Sequence, residues 1–222
     1  TFGPDPNPYF LAFNGIMGTN NIQLGTSSDH KLKLYTGSTT LYGNTVILPG
    51  AWYHVALTIE ANNDAVAYLN GNAEIITNIA ARPPFIGKFS IGQEWDNDNP
   101  SSFYQGMVDE VRIWNIARTQ QQLQENQNNI IDTIPPELVA YFKFDELSGS
   151  VLPDVTGNGN NGTLVNMGNE TWIESGWSYG APYLTTEMVY NIVPASAWCG
   201  GNVISEGNRP VAARGIVWGI SE

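Results

Sequence analysis

Residues 50–72 read GAWYHVALTIEANNDAVAYLNGN, and this stretch decides the fold class. Two apolar runs, HVALTIE and AVAYLNG, flank the four-residue polar connection ANND. A short polar connection between two strand-like runs predicts a β-hairpin. The Asn70–Gly71 pair that follows favours positive φ and therefore predicts a second tight turn.

The rest of the chain shows the same sequence pattern, in which short apolar runs are separated by Gly, Asn and Pro. Further strands are predicted at YFLAFNG, NIQLG, KLKLYTG, NTVILPG, KFSIGQE, MVDEVRIWN and LVAYFKFD. Closely spaced strands without intervening helices predict an all-β protein, built as an antiparallel β-sandwich or jelly roll. One short surface helix is predicted in NIARTQQQLQENQ, where Thr119 and Gln122 have the spacing of a capping box.

The composition narrows the classes of partner. Acidic residues outnumber basic residues 21 to 9 in the 222-residue chain, and the formal net charge is −12. This charge repels phosphate backbones, and no Lys/Arg cluster occurs, so we do not expect nucleic acid as a partner. No apolar run approaches the ~18 residues of a membrane-spanning helix. The single cysteine, Cys199, excludes an internal disulfide and cysteine-based zinc sites.

Four motifs in a fixed order connect the chain to a known family. They are the W-x-H-V-A strand and Y-x-N-G turn within residues 50–72, the G-Q-E segment from Gly92, and G-x-x-D-E-V-R-I-W-N before the helix. Over roughly residues 9–176 this order resembles the laminin-G-like and pentraxin branch of the concanavalin A-like jelly rolls. The resemblance implies one such domain over residues 1–176, with rearranged or missing N-terminal strands.

A segment after the helix has two possible roles. Residues 138–166 read LVAYFKFDELSGSVLPDVTGNGNNGTLVN and resemble the segment that opens many domains of this family. Residues 138–176 therefore either close the first domain or begin a second one. No further jelly-roll strands follow, which favours the closing role.

The sequence pattern changes after Trp177. Residues 177–183 contain Gly and Pro and are predicted to be a linker. Residues 184–222, through AWCGGNV and VAARGIVW, resemble part of an immunoglobulin-like repeat of very long secreted surface proteins, including gliding-motility adhesins. If the resemblance holds, Cys199 is an isolated core thiol.

An acidic loop, SIGQEWDNDNPSS, occupies residues 90–102. In an extended segment the side chains of Glu94 and Asp96 lie on the same face. Two carboxylates at such a short distance repel each other unless a cation lies between them. The loop is therefore splayed into water, holds a metal, or performs acid–base chemistry.

The family resemblance favours calcium in this loop. The resemblance implies that Glu94, Asp96 and the backbone carbonyl of Trp95 are calcium ligands, as the matching residues are in pentraxins. Asn20 and Asn21 of an earlier loop would join them. Calcium accepts carboxylate, amide and carbonyl oxygens from irregular loops. The loop is shorter here than in pentraxins, so a second adjacent calcium ion is not expected. The Asn–Asn pair carries less charge than the Asx–Asn pair of pentraxins, so high affinity is not expected either.

Other acidic residues have competing explanations. Asp109, Asp145 and Asp154 could form a second structural cation site, but a plain cluster of Gly and Asn turns explains DVTGNGNNG equally well. In VDEVRIW, one of Asp109 and Glu110 is expected to face solvent and to pair with Arg112 or a backbone turn.

Aromatic residues of the loop suggest carbohydrate binding rather than catalysis. Trp95, Phe103 and Tyr104 are candidates for stacking on sugar rings, although Phe103 and Tyr104 could instead plug the end of the sandwich. Retaining glucanases of this fold use E-x-D followed by a second Glu, whereas EWDNDNP offers Asp98 and Asn99. The general acid is thus missing, and no G-x-S-x-G motif occurs.

These observations predict a non-catalytic binding or adhesion module of a large secreted, cell-surface protein. Few Lys residues, many Asn, Thr and Gly residues and 11% aromatic residues agree with a carbohydrate-facing or adhesive role. The expected partners are glycans or an extracellular surface and other domains of the same chain, and the expected cofactor is calcium. The alternatives are a purely structural spacer of an adhesin and a degenerate or accessory domain of a glycoside hydrolase.

Overall fold

The computed structural model of the chain describes residues 7–15, 22–80, 87–96, 99–146 and 148–167, and the backbone of four strands beyond residue 182. The chain divides into two compact units, Thr1–Gln127 with Ile131–Ile173 and Asn128–Ile130 with Glu174–Glu222. The described residues are mostly antiparallel β-structure with one short helix, so the predicted fold class is confirmed.

The described elements of the first unit follow one another along the chain. Its strands are β1 (Tyr9–Gly15), β2 (Ile22–Thr26), β3 (Lys31–Tyr35), β4 (Thr40–Val46), β5 (Val55–Ile59), β6 (Asp64–Leu69), β7 (Asn72–Asn78), β8 (Gly87–Ile91), β9 (Glu94–Asp96), β10 (Asn99–Ser101), β11 (Val111–Trp114), β12 (Leu138–Phe142), β13 (Val151–Leu152) and β14 (Gly162–Thr163). The helix α1 (Gln120–Asn126) lies between β11 and β12.

Two sheets form the sandwich. One has five strands in the order β4–β3–β2–β1–β8, and the other has three strands in the order β5–β6–β7. Leu24, Leu32 and Leu34 of the larger sheet form one buried cluster with Ala67 and Ile75 of the smaller sheet. Fully burying a leucine contributes roughly 1.5–3 kcal/mol, so this cluster holds the two sheets face to face.

The decisive stretch folds as the sequence predicts. β5 and β6 pair from Val55 opposite Leu69 to Ile59 opposite Ala65, and the ANND connection closes the hairpin. Within that connection Asn63 has a φ of 67°. The next turn places Asn70 at a φ of 49° and leads directly into β7. Asn and Gly tolerate this left-handed conformation, which fixes both turns locally.

The segment after the helix packs into the first unit. β12 pairs with β11 in antiparallel fashion. Ala140 and Phe142 lie in a second buried cluster with Val111 and Leu152, and Leu11 of β1 packs against it. Whether residues 138–176 close the first domain or begin a second one stays a prediction.

The predicted capping box is confirmed at the start of α1. The Thr119 side chain accepts a hydrogen bond from the Gln122 amide at 3.2 Å, and the Gln122 side chain accepts one from the Thr119 amide at 3.0 Å. Gln120 and Gln124 donate to the Gly71 carbonyl at 2.9 and 3.0 Å, which ties the helix to the β6–β7 turn.

A largely buried ionic network joins the loop before β11 to β12 and α1. Glu110 pairs with Arg112, one of the two partners that the sequence predicted, but its side chain is only 13% exposed, so the predicted solvent-facing position is wrong. Glu110 also accepts a hydrogen bond from the Tyr141 hydroxyl. Arg112 donates to the carbonyl of Asn126 at the end of α1 at 3.0 Å. Glu110 has a φ of 55°, a conformation that side-chain-bearing residues rarely adopt. The network therefore holds this loop in a fixed geometry.

The second unit contains four described strands, β15 (Tyr183–Thr186), β16 (Tyr190–Val193), β17 (Ser196–Trp198) and β18 (Gly201–Ser205). β15 pairs with β18 and β16 pairs with β17, both in antiparallel fashion. β15 begins at Tyr183, the last residue of the predicted linker, while Cys199 lies outside the described residues. The immunoglobulin-like repeat stays a prediction.

Candidate functional site at the β9–β10 hairpin

Polar side chains line the outer face of the five-stranded sheet. Gln23 neighbours the core residue Leu24 and therefore points away from the core, because side chains alternate along a strand. Ala12 lies opposite Gln23 in the β1–β2 pair, and Asn14 lies two residues further along β1 on the same face. Asn14 and Gln23 are each only 4% exposed, so something covers them.

Glu94 of the β9–β10 hairpin provides part of that cover. Its side chain is 6% exposed. Gln23 Nε2 donates to Glu94 Oε2 at 2.9 Å, and Asn14 Nδ2 approaches the same oxygen at 3.3 Å. Asn14 Nδ2 also lies 3.2 Å from the carbonyl oxygen of Trp95. These contacts fix the start of the hairpin against the sheet.

Ser101 links the two carboxylates of the hairpin. It lies opposite Glu94 in the β9–β10 pair. Its Oγ contacts Glu94 Oε1 and lies 3.0 Å from Asp96 Oδ2. A hydroxyl carries one hydrogen and donates to one acceptor at a time. That single hydrogen offsets only part of the repulsion between the two carboxylates, and a cation beside them would offset more of it.

A second observation at this cluster points to a cation. The Oδ1 atom of Asn14 is buried and has no hydrogen-bond partner, which costs free energy. Turning the amide would exchange Oδ1 with Nδ2 and bring Oδ1 beside Glu94 and the Trp95 carbonyl. Three oxygens would then converge, an arrangement that a hard cation stabilises. The residues present thus fit a calcium ion, with neutral oxygens supplementing two carboxylates.

The structure brings together some of the predicted ligands. Glu94, Asp96 and the carbonyl of Trp95 lie in one cluster, whereas Asn20 and Asn21 lie outside the described residues. The sequence prediction missed three members, Asn14, Gln23 and Ser101. Strand alternation in β1 and β2 placed Asn14 and Gln23 on one face, but no local signal showed that Glu94 would meet them.

The structure does not gather Asp109, Asp145 and Asp154. Within the part of the chain that the structure describes, no group of three or more His, Cys, Asp or Glu side chains could hold a metal ion. The second cation site suggested for these three residues therefore has no support in their positions.

Asp154 has a structural role instead. Its carboxylate accepts hydrogen bonds from the amides of Tyr141 at 3.1 Å, Thr156 at 3.0 Å and Asn160 at 3.0 Å, and from the Thr156 hydroxyl at 2.7 Å. Burial alone would raise the pKa of Asp154, but these hydrogen bonds outweigh it and lower the pKa. The DVTGNGNNG turn is thus organised around a charged carboxylate.

The three candidate aromatic residues differ in their surroundings. The ammonium group of Lys88 lies over the Trp95 ring, 4.0 Å from its centre, so one face of the ring is covered. Tyr104 packs edge-on against Phe10 at 5.0 Å, and burial raises the pKa of its hydroxyl. Phe103 is 52% exposed. Among the three, Phe103 offers the most open ring to a ligand.

Comparison with known proteins shows the family. Residues 4–124 match the concanavalin A-like lectin/glucanases superfamily (Laminin_G_3). No curated protein matches the chain. The described residues contain no helix that is long and apolar enough to cross a membrane.

Two solved structures resemble the chain. One, titled a "putative carbohydrate binding protein" from Bacteroides ovatus, is 24% identical, with a TM-score of 0.55 over 73% of this chain and 52% of that one. The other is an S-layer domain-containing protein from Clostridium thermocellum, 25% identical, with a TM-score of 0.34 over 50% of this chain and 58% of that one. The chain thus spans a little over half the length of these structures, and the first likeness supports the fold.

Proposed function

Because the chain belongs to the concanavalin A-like lectin/glucanases superfamily, we propose that it is a carbohydrate-binding module whose β9–β10 hairpin is organised by calcium. One observation carries this proposal. The Ser101 hydroxyl contacts the carboxylates of both Glu94 and Asp96 and has a single hydrogen to donate to them. A divalent cation removes the repulsion and uses the buried Oδ1 of Asn14 as a further ligand.

The residues have separate roles in this account. Glu94, Asp96, Ser101 and the carbonyl of Trp95 would hold the ion, joined by Oδ1 of Asn14 once that amide has turned. When bound, calcium supplies positive charge and coordination positions that water or sugar hydroxyls fill. Phe103 presents an exposed ring, on which the apolar face of a sugar packs.

A binding role fits the hairpin better than hydrolysis. Glu94 is nearly inaccessible, and the side chains of Gln23, Asn14 and Ser101 engage its carboxylate. A glycosidase nucleophile must reach the sugar carbon, and a second carboxylic acid must protonate the leaving oxygen. The covered Glu94 does not offer that access.

We place this module outside the cell, in a larger surface protein that uses it to attach to glycans. The support is the likeness to the Bacteroides ovatus protein, which is described as carbohydrate binding, together with the acidic composition of the chain. A spacer that binds nothing is the competing function, and the following experiment separates the two.

We expect the full chain to bind members of a glycan array in calcium and to release them when a chelator is added. Phe103→Ala should weaken binding about tenfold, a loss of about 1.4 kcal/mol, because the sugar loses its packing surface. Ile76→Ala is the matched control, since Ile76 is 77% exposed but lies on β7 of the other sheet.

The outcomes of this experiment are distinct. Unchanged binding in Ile76→Ala with weakened binding in Phe103→Ala supports the proposed surface. Absence of any glycan signal in the native chain, with or without calcium, favours the spacer. Turnover of a β-glucan that disappears in Glu94→Gln would restore the glycosidase interpretation.

A further inference from the structure

The two carboxylate oxygens of Glu94 have different surroundings. Oε1 contacts the hydroxyl of Ser101 within the hairpin. Oε2 faces the five-stranded sheet, where it accepts a hydrogen bond from Gln23 Nε2 at 2.9 Å and lies 3.3 Å from Asn14 Nδ2. One oxygen of Glu94 therefore belongs to the ion site proposed above, and the other is anchored to the sheet.

The β9–β10 hairpin needs an anchor of this kind. Each of its strands has three residues, and among the described strands the two pair only with each other. An isolated two-stranded hairpin is marginally stable at best, so it must pack against another element. Glu94 is buried and connects the hairpin to the larger sheet.

Gln23 is well placed to be that anchor. It lies on an internal strand, opposite Ala12 of β1 on one side and Tyr35 of β3 on the other. A side chain that starts from such a paired backbone is held more precisely than one on a loop. Because an ionised carboxylate only accepts hydrogen bonds, Nε2 and not Oε1 of Gln23 must face Glu94.

The amide of Asn14 has a different part. In the proposed function it turns so that Oδ1 becomes a ligand of the ion. The turned amide no longer presents Nδ2 to Glu94 Oε2 or to the carbonyl of Trp95. Among the described residues, Gln23 is then the remaining side-chain donor to Oε2. The orientation of Glu94 in the ion-bound chain therefore depends on Gln23.

We propose that Gln23 is a positioning residue of the calcium site, which does not touch the ion but holds Glu94 so that Oε1 lies on the side of Asp96 and Ser101. This inference rests on the proposed function. Side chains that orient a metal ligand from behind typically change metal affinity about 10- to 100-fold when they are replaced. Without Gln23, Asn14 Nδ2 would be needed at Oε2, so the site would lose the order of two ligands at once.

The test separates calcium affinity from stability. Gln23→Met keeps the length of the side chain and removes the donor, and calorimetric titration should show an affinity for calcium about 10- to 100-fold below that of the native chain. The unfolding temperature is then measured in calcium and in chelator. Calcium should raise it in the native chain, and this rise should be lost in Gln23→Met whatever the value in chelator. Gln23→Asn, whose amide is one methylene too short, should behave in the same way.

Two control variants exclude other causes. Gln121→Met removes a hydrogen bond of the same type, from Gln121 Nε2 to Glu125 Oε1 at 2.8 Å on α1, and should leave calcium affinity unchanged. Leu24→Val alters the neighbour of Gln23 that lies in the core between the sheets. It should lower the unfolding temperature equally in calcium and in chelator, because it removes buried volume without touching Glu94.

The outcomes distinguish this inference from the proposed function. A native chain that binds no calcium overturns both. A native chain that binds calcium, with folded Gln23→Met and Gln23→Asn chains that bind it as tightly, overturns the positioning role alone. The positioning role is also overturned if Leu24→Val loses as much affinity, because affinity would then follow stability, or if neither Gln23 variant folds, because Gln23 would then be a structural residue.

Discussion

Replacing Arg112 with methionine is expected to lower the free energy of unfolding by about 3–5 kcal/mol, because it leaves the Glu110 charge buried without its partner. The side chains of Arg112 and Glu110 are 12% and 13% exposed, so water does not compensate the loss. The substitution also frees the Asn126 carbonyl at the end of α1. Urea unfolding at pH 7, followed by tryptophan fluorescence, measures this change.

Arg118 provides the matched control for this substitution. Its guanidinium lies 4.3 Å from the centre of the Trp114 ring, and among the described residues it forms no ion pair with a carboxylate. A cation–π contact at the surface contributes about 0.5–1 kcal/mol, so Arg118→Met should cost no more than that. Equal losses in the two variants would show that the Glu110–Arg112 network does not anchor the loop before β11.

Acidification from pH 7 to pH 5 is expected to cost the native chain about 2 kcal/mol of stability through His54 alone. Burial, assisted by the charge of Arg112, lowers the pKa of His54 from 6.5 to about 4. The folded state thus holds the imidazole neutral at a pH where the unfolded chain has protonated it. Stability is therefore lost as the pH falls below 6.5, and the loss is complete below about pH 4.

His54→Gln isolates this effect, since glutamine does not titrate. The variant should lose much less stability between pH 7 and pH 5 than the native chain does, although its stability at pH 7 differs through packing. This range lies above the titration of most carboxylates, including Asp154 and Glu74, whose pKa values are lowered. Equal losses of unfolding free energy between pH 7 and pH 5 in the two proteins would contradict a neutral, buried His54. Arg112→Met should also reduce the stability lost between pH 7 and pH 5, because it removes the positive charge near the imidazole.

Local chemistry predicted the elements whose partners are close in sequence. The ANND and Asn70–Gly71 turns and the Thr119 capping box depend on residues within one turn, and the structure contains all three. The pairing of Glu110 with Arg112 is also local and was predicted.

The composition of the candidate site could not be predicted in the same way. Asn14 and Gln23 reach Glu94 across 80 and 71 residues of chain, and only the sheet topology brings them together. Ser101 belongs to a hairpin whose strands have only three residues each, too few to show a strand pattern in the sequence. Asp154 shows the converse case, since it was grouped with Asp109 and Asp145 in a predicted cation site, while backbone amides already satisfy its carboxylate.

Calorimetric titration of calcium into the native chain tests the central claim most directly. The account predicts one ion per chain, with a dissociation constant in the range of about 10⁻⁴–10⁻³ M that extracellular modules show. Asp96→Asn and Ser101→Ala should each weaken binding or abolish it, whereas Asp29→Asn, which makes the same charge change at an exposed turn, should not. A native chain that takes up no calcium, or that binds it equally well in all three variants, would contradict the account.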